Sequence, residues 1–529
     1  MKKITIVFGI ATVLGFSAGM AQTVDLELLV TLTNNQFDFI GWSLSSAGDI
    51  NQDGYDDVLV GVLGTGRVSV YFGGPAMDNI EDMVFRGQQP GDGIGWSVSA
   101  GDLNGDSLPD VIVGAPNNDS AGFNAGRAYI YFGGSPMDTT ADVILTGEAS
   151  GDYFGRFLSY CGDVNGDGFG DVIIAAPFSD SGGMDAGRAY IYFGGAPMDN
   201  IADVILTGEA AWDTFGCSVS SAGDVNGDGY DDVIVGALGN DGGGSDAGRA
   251  YIYFGGASMD NIVDIVLTGS GAGDNFGIRV AGAGDVNGDD TSDVLILASN
   301  RVEIYFGSTS MGPAADVVLR GSGIGSGNAI SSAGDVNGDS IDDVLVGDPL
   351  SYNRVFLYLG GTSMDTIPDD TVDTSLNSFG YSVSSAGDVN GDNFSDVIVG
   401  APLAAPQWHQ AFVYAGKVTG ISESDDKFQN TNVKLFQNQP NPFNSASGGT
   451  AISFQLSVHS HNTIKVYDLT GRLVMTLFDE EKEAGAYSLQ WDGRNSGGLK
   501  VPAGTYFYEL IVGGKEVKFR SVRKMTVIK

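Results

Sequence analysis

Seven times along the 529-residue chain, oxygen-bearing side chains recur in the order Asp-x-Asn-x-Asp-x-x-x-Asp. The copies, with the residue at position seven included, are Asp49/Asn51/Asp53/Tyr55/Asp57, Asp102/Asn104/Asp106/Leu108/Asp110, Asp163/Asn165/Asp167/Phe169/Asp171 and Asp224/Asn226/Asp228/Tyr230/Asp232. They continue as Asp285/Asn287/Asp289/Thr291/Asp293, Asp335/Asn337/Asp339/Ile341/Asp343 and Asp388/Asn390/Asp392/Phe394/Asp396. Hard oxygen donors at positions one, three and five of a tight loop converge, position seven offers its carbonyl, and position nine closes the shell. That is calcium chemistry. Magnesium fits less well, because it keeps waters in a strict octahedron. Asp and Asn also favour turns that hold no metal. Three clustered carboxylates, however, repel one another unless a cation is present. A helix-flanked calcium loop needs an acid at position twelve; here that position is apolar, as in Val60, Val113 and Val235.

The first aspartates lie roughly 50 to 61 residues apart, somewhat above the propeller repeats of about 40 to 50. Each unit reads as four strands around its loop. The fourth, for example, predicts strands at 215–222, 232–237, 249–254 and 264–267. The first strand is built of small residues (Ser218-Val219-Ser220-Ser221-Ala222), which suits blades crowding around an axis. The later strands are rich in Val, Ile, Tyr and Phe, which suits sheets packed on both faces. No segment has a helical period. The expected fold is all-β: a seven-bladed β-propeller over 22–416. The seventh unit has only three strands, and residues 26–32 align with the outer strands of the others. The N-terminal segment is therefore expected to complete the last blade, leaving no open edge.

The formal charge of −40 disfavours nucleic acid and anionic membranes as partners. Seven calcium ions would bring it to about −26. No lysine occurs between Gln22 and Gly416, whereas the region after Lys417 is mildly basic, as expected of separate domains. Lys2 and Lys3, the apolar run 4–16 and Gly19-Met20-Ala21 read as a signal peptide over 1–21. No other run is long and apolar enough to span a bilayer. The only cysteines, Cys161 and Cys217, occupy non-equivalent positions in neighbouring repeats. They read as buried free thiols rather than a bridge.

Phe154-Gly155 and Ala176-Pro177 flank the third loop, Phe215-Gly216 precedes the fourth, and Gly400-Ala401-Pro402 follows the seventh. With the loops, they resemble the FG-GAP repeat of integrin α-subunit propellers. That resemblance covers about three quarters of the chain and implies calcium hairpins. Ile94-Gly95 stands for Phe-Gly in repeat two, repeat six lacks the phenylalanine, and repeat five ends Leu297-Ala298-Ser299. Integrins carry such loops in only some blades. Nothing here resembles their inserted metal-dependent adhesion domain, so integrin-type ligand binding is not carried over.

After a polar linker (417–434), the region 435–529 opens with Gln437-Asn438-Gln439-Pro440-Asn441-Pro442-Phe443-Asn444. Strand patterns then alternate with Asp468-Leu469-Thr470-Gly471, Trp491-Asp492-Gly493 and Val501-Pro502-Ala503-Gly504. The spacing predicts a small Ig-like β-sandwich. It resembles the C-terminal sorting domains of bacterial type IX secretion, which implies export to the cell surface or medium through that machinery; an ordinary Ig-like accessory module is the alternative.

Catalytic material is sparse. Of His409, His459 and His461, only His409 falls in the propeller, so a Ser/His/Asp arrangement has little to draw on. The expectation is a non-enzymatic adhesion or ligand-binding module for an extracellular protein or glycan. The alternatives are a lyase-like polysaccharide enzyme and a structural surface component. The loops 116–126, 177–187 and 238–248 are long and lie in adjacent repeats, with Phe123, Tyr153 and Trp212 as aromatic contacts. Arg67, Arg127, Arg188, Arg249, Arg301 and Arg354 begin third strands and are expected to pair with acids between blades.

Overall fold

The computed structural model describes residues 23–24, 26–33, 38–89, 91–134, 137–309, 311–320, 329–362, 364–404, 409–416, 418–419, 433–444, 449–457, 459–468, 473–496, 498–512 and 519–528. The expected signal peptide, nearly all of the linker and most of the 468–471 turn lie outside them.

Among the described residues, seven four-stranded antiparallel sheets follow one another along the chain. In the fourth, the innermost strand is Phe215–Gly223, followed by Asp232–Ala237, Arg249–Tyr253 and Ile265–Thr268. Its boundaries agree with the sequence expectation to within a residue or so. All seven second strands, such as Asp232–Ala237 and Asp171–Ala176, are buried along their whole length. Val and Ile on both faces make that possible, because both faces meet a neighbouring blade.

The innermost strands pack in sequence around the ring, and Ser382–Gly387 of the seventh blade lies beside Ile40–Gly48 of the first. Seven hydrophobic cores result, each shared between two adjacent blades. The one between blades seven and one holds Leu32, Ile40, Val58, Val60, Ile398 and Val413. Leu32 belongs to Glu27–Thr33, which pairs with Gln410–Ala415 as the outer strand of blade seven. The ring is thus closed by its own N-terminal strand. The seven-bladed β-propeller is as the repeats predict.

The C-terminal region is a separate sandwich. One sheet holds Lys434–Leu435, Thr450–Leu456 and Gly485–Trp491. The other holds Phe443–Asn444, Phe519–Ile528, Gly504–Val512, Ser460–Asp468 and Leu473–Lys482. Between them Trp491, Phe443, Phe454 and Tyr508 are fully buried, with the Phe443 and Trp491 rings edge to face at 5.5 Å. Tyr508 Oη donates to Phe436 O at 2.8 Å and accepts the Asn438 amide at 2.7 Å, which fixes the strand leading into the domain.

Candidate metal centres and the opposite face

Each Asp-rich loop joins the innermost strand of its blade to the second, so all seven stand at one end of the ring. The local fold follows from short polar side chains capturing nearby amides. In the fourth loop Asp224 Oδ1 accepts Gly227 N at 2.7 Å and Asp228 N at 3.0 Å, and Oδ2 accepts Gly229 N at 2.8 Å. Asp228 Oδ1 accepts Tyr230 N at 3.1 Å. Gly227 and Gly229 have positive φ, which Gly adopts at little cost.

Position nine behaves differently. Asp232 is fully buried; Oδ2 accepts Val225 N at 2.9 Å and Oδ1 accepts Gly255 N at 2.7 Å. The same clamp recurs at Asp57, Asp110, Asp171, Asp293, Asp343 and Asp396. Burial pushes Asp57, Asp110, Asp171, Asp232, Asp293 and Asp396 up to about 7, against the pull of these amides. The other loop carboxylates add to the rise; Asp343 shifts the same way.

The side chains expected to hold a metal form hydrogen bonds within their own loops. Among the described residues, no three acidic, histidine or cysteine side chains converge as a ready metal cage. In the first loop Asp49 Oδ1 and Asn51 Oδ1 both accept Asp53 N, at 3.0 and 2.8 Å, and Asn51 Nδ2 donates to Asp53 Oδ2 at 3.1 Å. Asp53 Oδ1 in turn accepts Tyr55 N at 3.1 Å. In the second, Asn104 Oδ1 accepts Asp106 N at 2.9 Å, Asn104 Nδ2 donates to Asp110 Oδ1 at 3.3 Å, and Asp106 Oδ1 accepts Leu108 N at 2.9 Å. In the third, Asn165 Oδ1 accepts Asp167 N at 2.8 Å, Asn165 Nδ2 donates to Asp167 Oδ2 at 3.0 Å, and Asp167 Oδ1 accepts Phe169 N at 3.0 Å.

The later loops repeat this. Asn287 Nδ2 donates to Asp293 Oδ1 at 3.3 Å, Asp285 Oδ1 accepts Asp289 N at 3.1 Å, and Asp289 Oδ1 accepts Thr291 N at 3.0 Å. Asn337 Oδ1 accepts Asp339 N at 2.9 Å, and Asp339 Oδ1 accepts Ile341 N at 3.0 Å. Asn390 Nδ2 donates to Asp396 Oδ2 at 3.1 Å, Asp388 Oδ1 accepts Asp392 N at 3.0 Å, and Asp392 Oδ1 accepts Phe394 N at 3.1 Å. The physical reason is local. Main-chain N–H groups two to five residues on are the nearest positive partners for these short side chains. The position-one and position-five oxygens are thus held by the loop's own amides, and so is the position-three oxygen of Asn51, Asn104, Asn165 and Asn337.

Do these residues nevertheless suit a cation? The donor chemistry fits: every loop offers carboxylates, an amide oxygen and a carbonyl, all hard oxygen. The position-five carboxylates, Asp53 to Asp392, are exposed in every loop and so open to an arriving ion. Asn226 Oδ1 is buried with no hydrogen-bond partner, an acceptor lacking a positive group.

The loops also lock to one another. The position-eight amide donates to the position-one carbonyl of the preceding loop: Gly170 to Asp102 at 3.0 Å, Asp231 to Asp163 at 3.3 Å and Asp342 to Asp285 at 2.9 Å. Ser292, Ser395 and Asp56 do likewise with Asp224, Asp335 and Asp388. In the second loop position eight is Pro109, which has no N–H to donate. The position-seven side chains, expected only to offer carbonyls, also lie against the preceding loop. A Cβ on Gly166 would come within 2.3 Å of Tyr230, and one on Gly105 within 2.7 Å of Phe169. Tyr55, Ile341 and Phe394 stand in the same way against Gly391, Gly288 and Gly338.

The recurrent arginines stand at the opposite end, where the second-to-third-strand loops lie. Arg188 pairs with Glu148 at 2.8 Å and Arg249 with Glu209 at 2.8 Å, each acid following the outer strand of the preceding blade. Arg301 with Asp274 at 2.5 Å and Arg67 with Asp38 at 3.3 Å keep the pattern. Arg127 finds Gln88 in the acid's place, at 3.2 Å. Arg354 departs, meeting Asp348 and Asp373 of its own blade at 3.8 and 3.9 Å.

On this end Phe123 and Trp212 are 72% and 59% exposed, joined by Met184. Tyr153 is not a free contact: its hydroxyl accepts Asn124 Nδ2 at 2.8 Å and its ring packs on Phe178 at 5.5 Å. An open pocket of about 870 Å³ lies between the first two blades, lined by Gln88, Asp92, Asn117, Asn118, Phe123 and Asn124 among others. Sequence reading also missed a cluster around the axis formed by Trp42, Trp96, Arg156, Phe157 and Tyr381. Its signal was available: large residues follow the Phe-Gly or Ile-Gly pair in strands that are otherwise small.

The fold and site together define a seven-bladed propeller with one Asp-rich hairpin in each blade. The FG-GAP repeat family matches residues 40–71, 94–131, 154–192, 215–253 and 379–420, which fall in blades one to four and seven. Sheets and matches together support an FG-GAP β-propeller. It is similar to integrin alpha-5 of Xenopus laevis, 34% identical over 220 residues, covering 38% of this chain and 20% of that protein. Integrin alpha-PS2 of Drosophila melanogaster is 32% identical over 226 residues (39% and 16%), and integrin alpha-V of Gallus gallus 34% over 227 (38% and 20%). The chain spans about a fifth of the length of these curated relatives. The FlgD Ig-like domain family matches residues 441–511.

Proposed function

We propose that the protein is a secreted or cell-surface calcium-binding propeller that binds a protein or glycan ligand on the end remote from its Asp-rich loops, and that its C-terminal domain serves export by type IX secretion. One observation carries the ligand-binding reading. The ring is locked at one end by its loops, while the other presents a pocket and exposed Phe123, Met184 and Trp212. Exposed large apolar side chains beside polar loops are the usual mark of a recognition surface. The integrin alpha relatives support an adhesive role.

Calcium would be held by the Asp and Asn side chains at positions one, three, five and nine and the carbonyl at position seven. It would supply the positive charge the loops lack, and so stabilise the ring. Calcium stoichiometry and melting temperature of the secreted chain, with and without chelator, test this half. About seven ions and a calcium-restored fall in melting temperature are expected; no ion and no chelator effect would remove calcium from the proposal. The ligand half is tested by cell-surface or matrix adhesion of the F123A/W212A double variant, which is expected to drop severalfold.

A further inference from the structure

The propeller has ten arginines and no lysine between residues 22 and 416. Six arginines begin third strands, and Arg86 and Arg320 end or follow outer strands. Arg156 and Arg279 alone stand at the innermost strands, where each blade meets the axis. The Arg156 guanidinium sits 4.8 Å from the Trp96 ring centroid, 5.4 Å from Phe178 and 5.8 Å from Tyr153. Arg279 lies 5.7 Å from Phe157, the residue after Arg156. Trp96 packs edge-on to Trp42 at 5.3 Å, and Trp42 against Tyr381 at 5.1 Å. Two cations and an arc of aromatic rings thus share the axial mouth, at the end away from the Asp-rich loops.

Neither arginine forms an ion pair among the described residues, although five of the six that begin third strands do. Burial lowers the Arg156 pKa, and the Arg279 charge lowers it further. Two cations held near each other without a carboxylate are costly in themselves, and a bound anion would offset that cost. Stacking engages the face of a guanidinium and leaves in-plane N–H groups for a carboxylate, although Arg279 Nη1 already donates to Ile278 O at 2.8 Å.

The mouth is linked to the pocket between blades one and two through one hydrogen bond. Tyr153, beside Arg156, accepts the side-chain amide of Asn124, a pocket residue. The pocket offers Gln88, Asn117, Asn118, Asp119 and Ser120 to hydroxyl groups and Phe123 to a sugar face.

We infer that this axial mouth is an acidic-glycan site: the guanidinium groups of Arg156 and Arg279 hold the carboxylate of a single uronate, and the attached neutral sugars run over Tyr153 into the pocket between blades one and two. This rests on the ligand-binding reading above and names its ligand class. The charge of the chain favours one uronate over a polyanion, since two cations stand within a formal −40. An acidic peptide shares the carboxylate but lacks the hydroxyls that the amide-lined pocket suits.

The test is calorimetric titration of the full chain with a xylo-oligosaccharide bearing one glucuronate, its methyl ester, and triglutamate. The uronate is expected to bind, and the ester at least tenfold more weakly. R156Q and R279Q should each lose at least tenfold with an unchanged melting temperature; the ester comparison stands even if a variant unfolds. Equal binding of ester and acid overturns the carboxylate anchor, and triglutamate binding as tightly as the uronate overturns the glycan class. No binding of the uronate overturns the site outright, while loss of adhesion in F123A/W212A would still uphold the outer-face reading.

Discussion

The Asp56 amide donates to the Asp388 carbonyl at 3.1 Å, and the Asp56 carboxylate accepts the Asp388 amide at 2.8 Å. These residues are 332 positions apart in the chain, yet this two-way bond joins the first loop to the seventh. The same exchange links Asp231 with Asp163 and Asp342 with Asp285. Elsewhere position eight is Ser, Gly or Pro, so only the backbone half of the exchange remains, or none.

Asp56→Ala should therefore weaken ring closure specifically. It strands the half-buried Asp388 amide, a loss of about 1 kcal/mol. Asp56→Asn keeps an acceptor oxygen and should recover most of it. Denaturant unfolding of both variants at one fixed calcium concentration checks the pair; equal loss in both would mean that the carboxylate charge, not the bond, matters.

Positions five and nine of a loop should separate under mutation. Asp228 is on the loop's exposed side, whereas Asp232 is fully buried and clamps two amides. Asp228→Ala should remove one calcium ion yet leave stability in chelator within about 0.5 kcal/mol of the parent. Asp232→Ala should cost about 2–4 kcal/mol even in chelator, because two buried N–H groups lose their acceptor. Ion counting and chelator melts on the two variants decide it.

The blade count, the ring closure and the positions of the loops were legible because a repeat states its pattern seven times. The small first strand of 218–222 and the stray outer strand of 26–32 are each visible against their copies. What was not legible lies between repeats. The bond from Asp56 to Asp388 joins neighbours in space that sit at opposite ends of the chain. The inward turn of Asp232 onto Gly255 depends on a hairpin 23 residues downstream. The axial cluster escaped notice for the opposite reason: Arg156, Trp96 and Tyr381 vary from blade to blade, and attention to repetition discards what does not repeat. Tyr153, expected as a ligand contact, is engaged by Asn124 and Phe178, and no local pattern carries that information.

Removing residues 23–33 should open the ring. Gln410–Ala415 would then present an unpaired edge between otherwise closed blades, and Leu32 would leave the core shared by blades seven and one. Unpaired edges recruit other chains. Size-exclusion chromatography should show oligomers or aggregate in place of the parent's single peak; a monodisperse, equally stable truncation would mean that the strand is dispensable.

The Arg301–Asp274 pair should give acid sensitivity of definite sign. Hydrogen bonds from Arg301 hold Asp274 down at about 2, below the ordinary carboxylate value of 3.8. The folded state therefore favours the charged form. Its contribution, about 2 kcal/mol by linkage, is present in full above the unfolded value and is lost as pH falls from about 4 towards 2. Unfolding free energies of the parent and Asp274→Asn should differ most at about pH 6 and converge only below about pH 2. A difference that stays constant with pH would assign the effect to shape rather than charge.

Cys161 and Cys217 report on whether the loops govern blade packing. Both thiols are free and buried; burial pushes Cys217 up to about 11, and its Sγ lies 3.5 Å from the Gly277 carbonyl of the next blade. Cys161, fully buried, packs in the core shared by blades three and four and immediately precedes Gly162-Asp163 of the third loop. A thiol-specific reagent needs both exposure and thiolate, so neither cysteine should react in the native chain at about pH 8. Full denaturation should release two equivalents. Chelation supplies the informative case, because labelling of a buried thiol follows the opening of its surroundings. If the ions hold the loops, and the loops hold the blades, chelator should speed labelling of Cys161 more than that of Cys217, since Cys161 adjoins a loop and Cys217 lies at the far end of its strand. Equal acceleration would point to global loosening, and no acceleration would show that the blades are held by their shared cores alone.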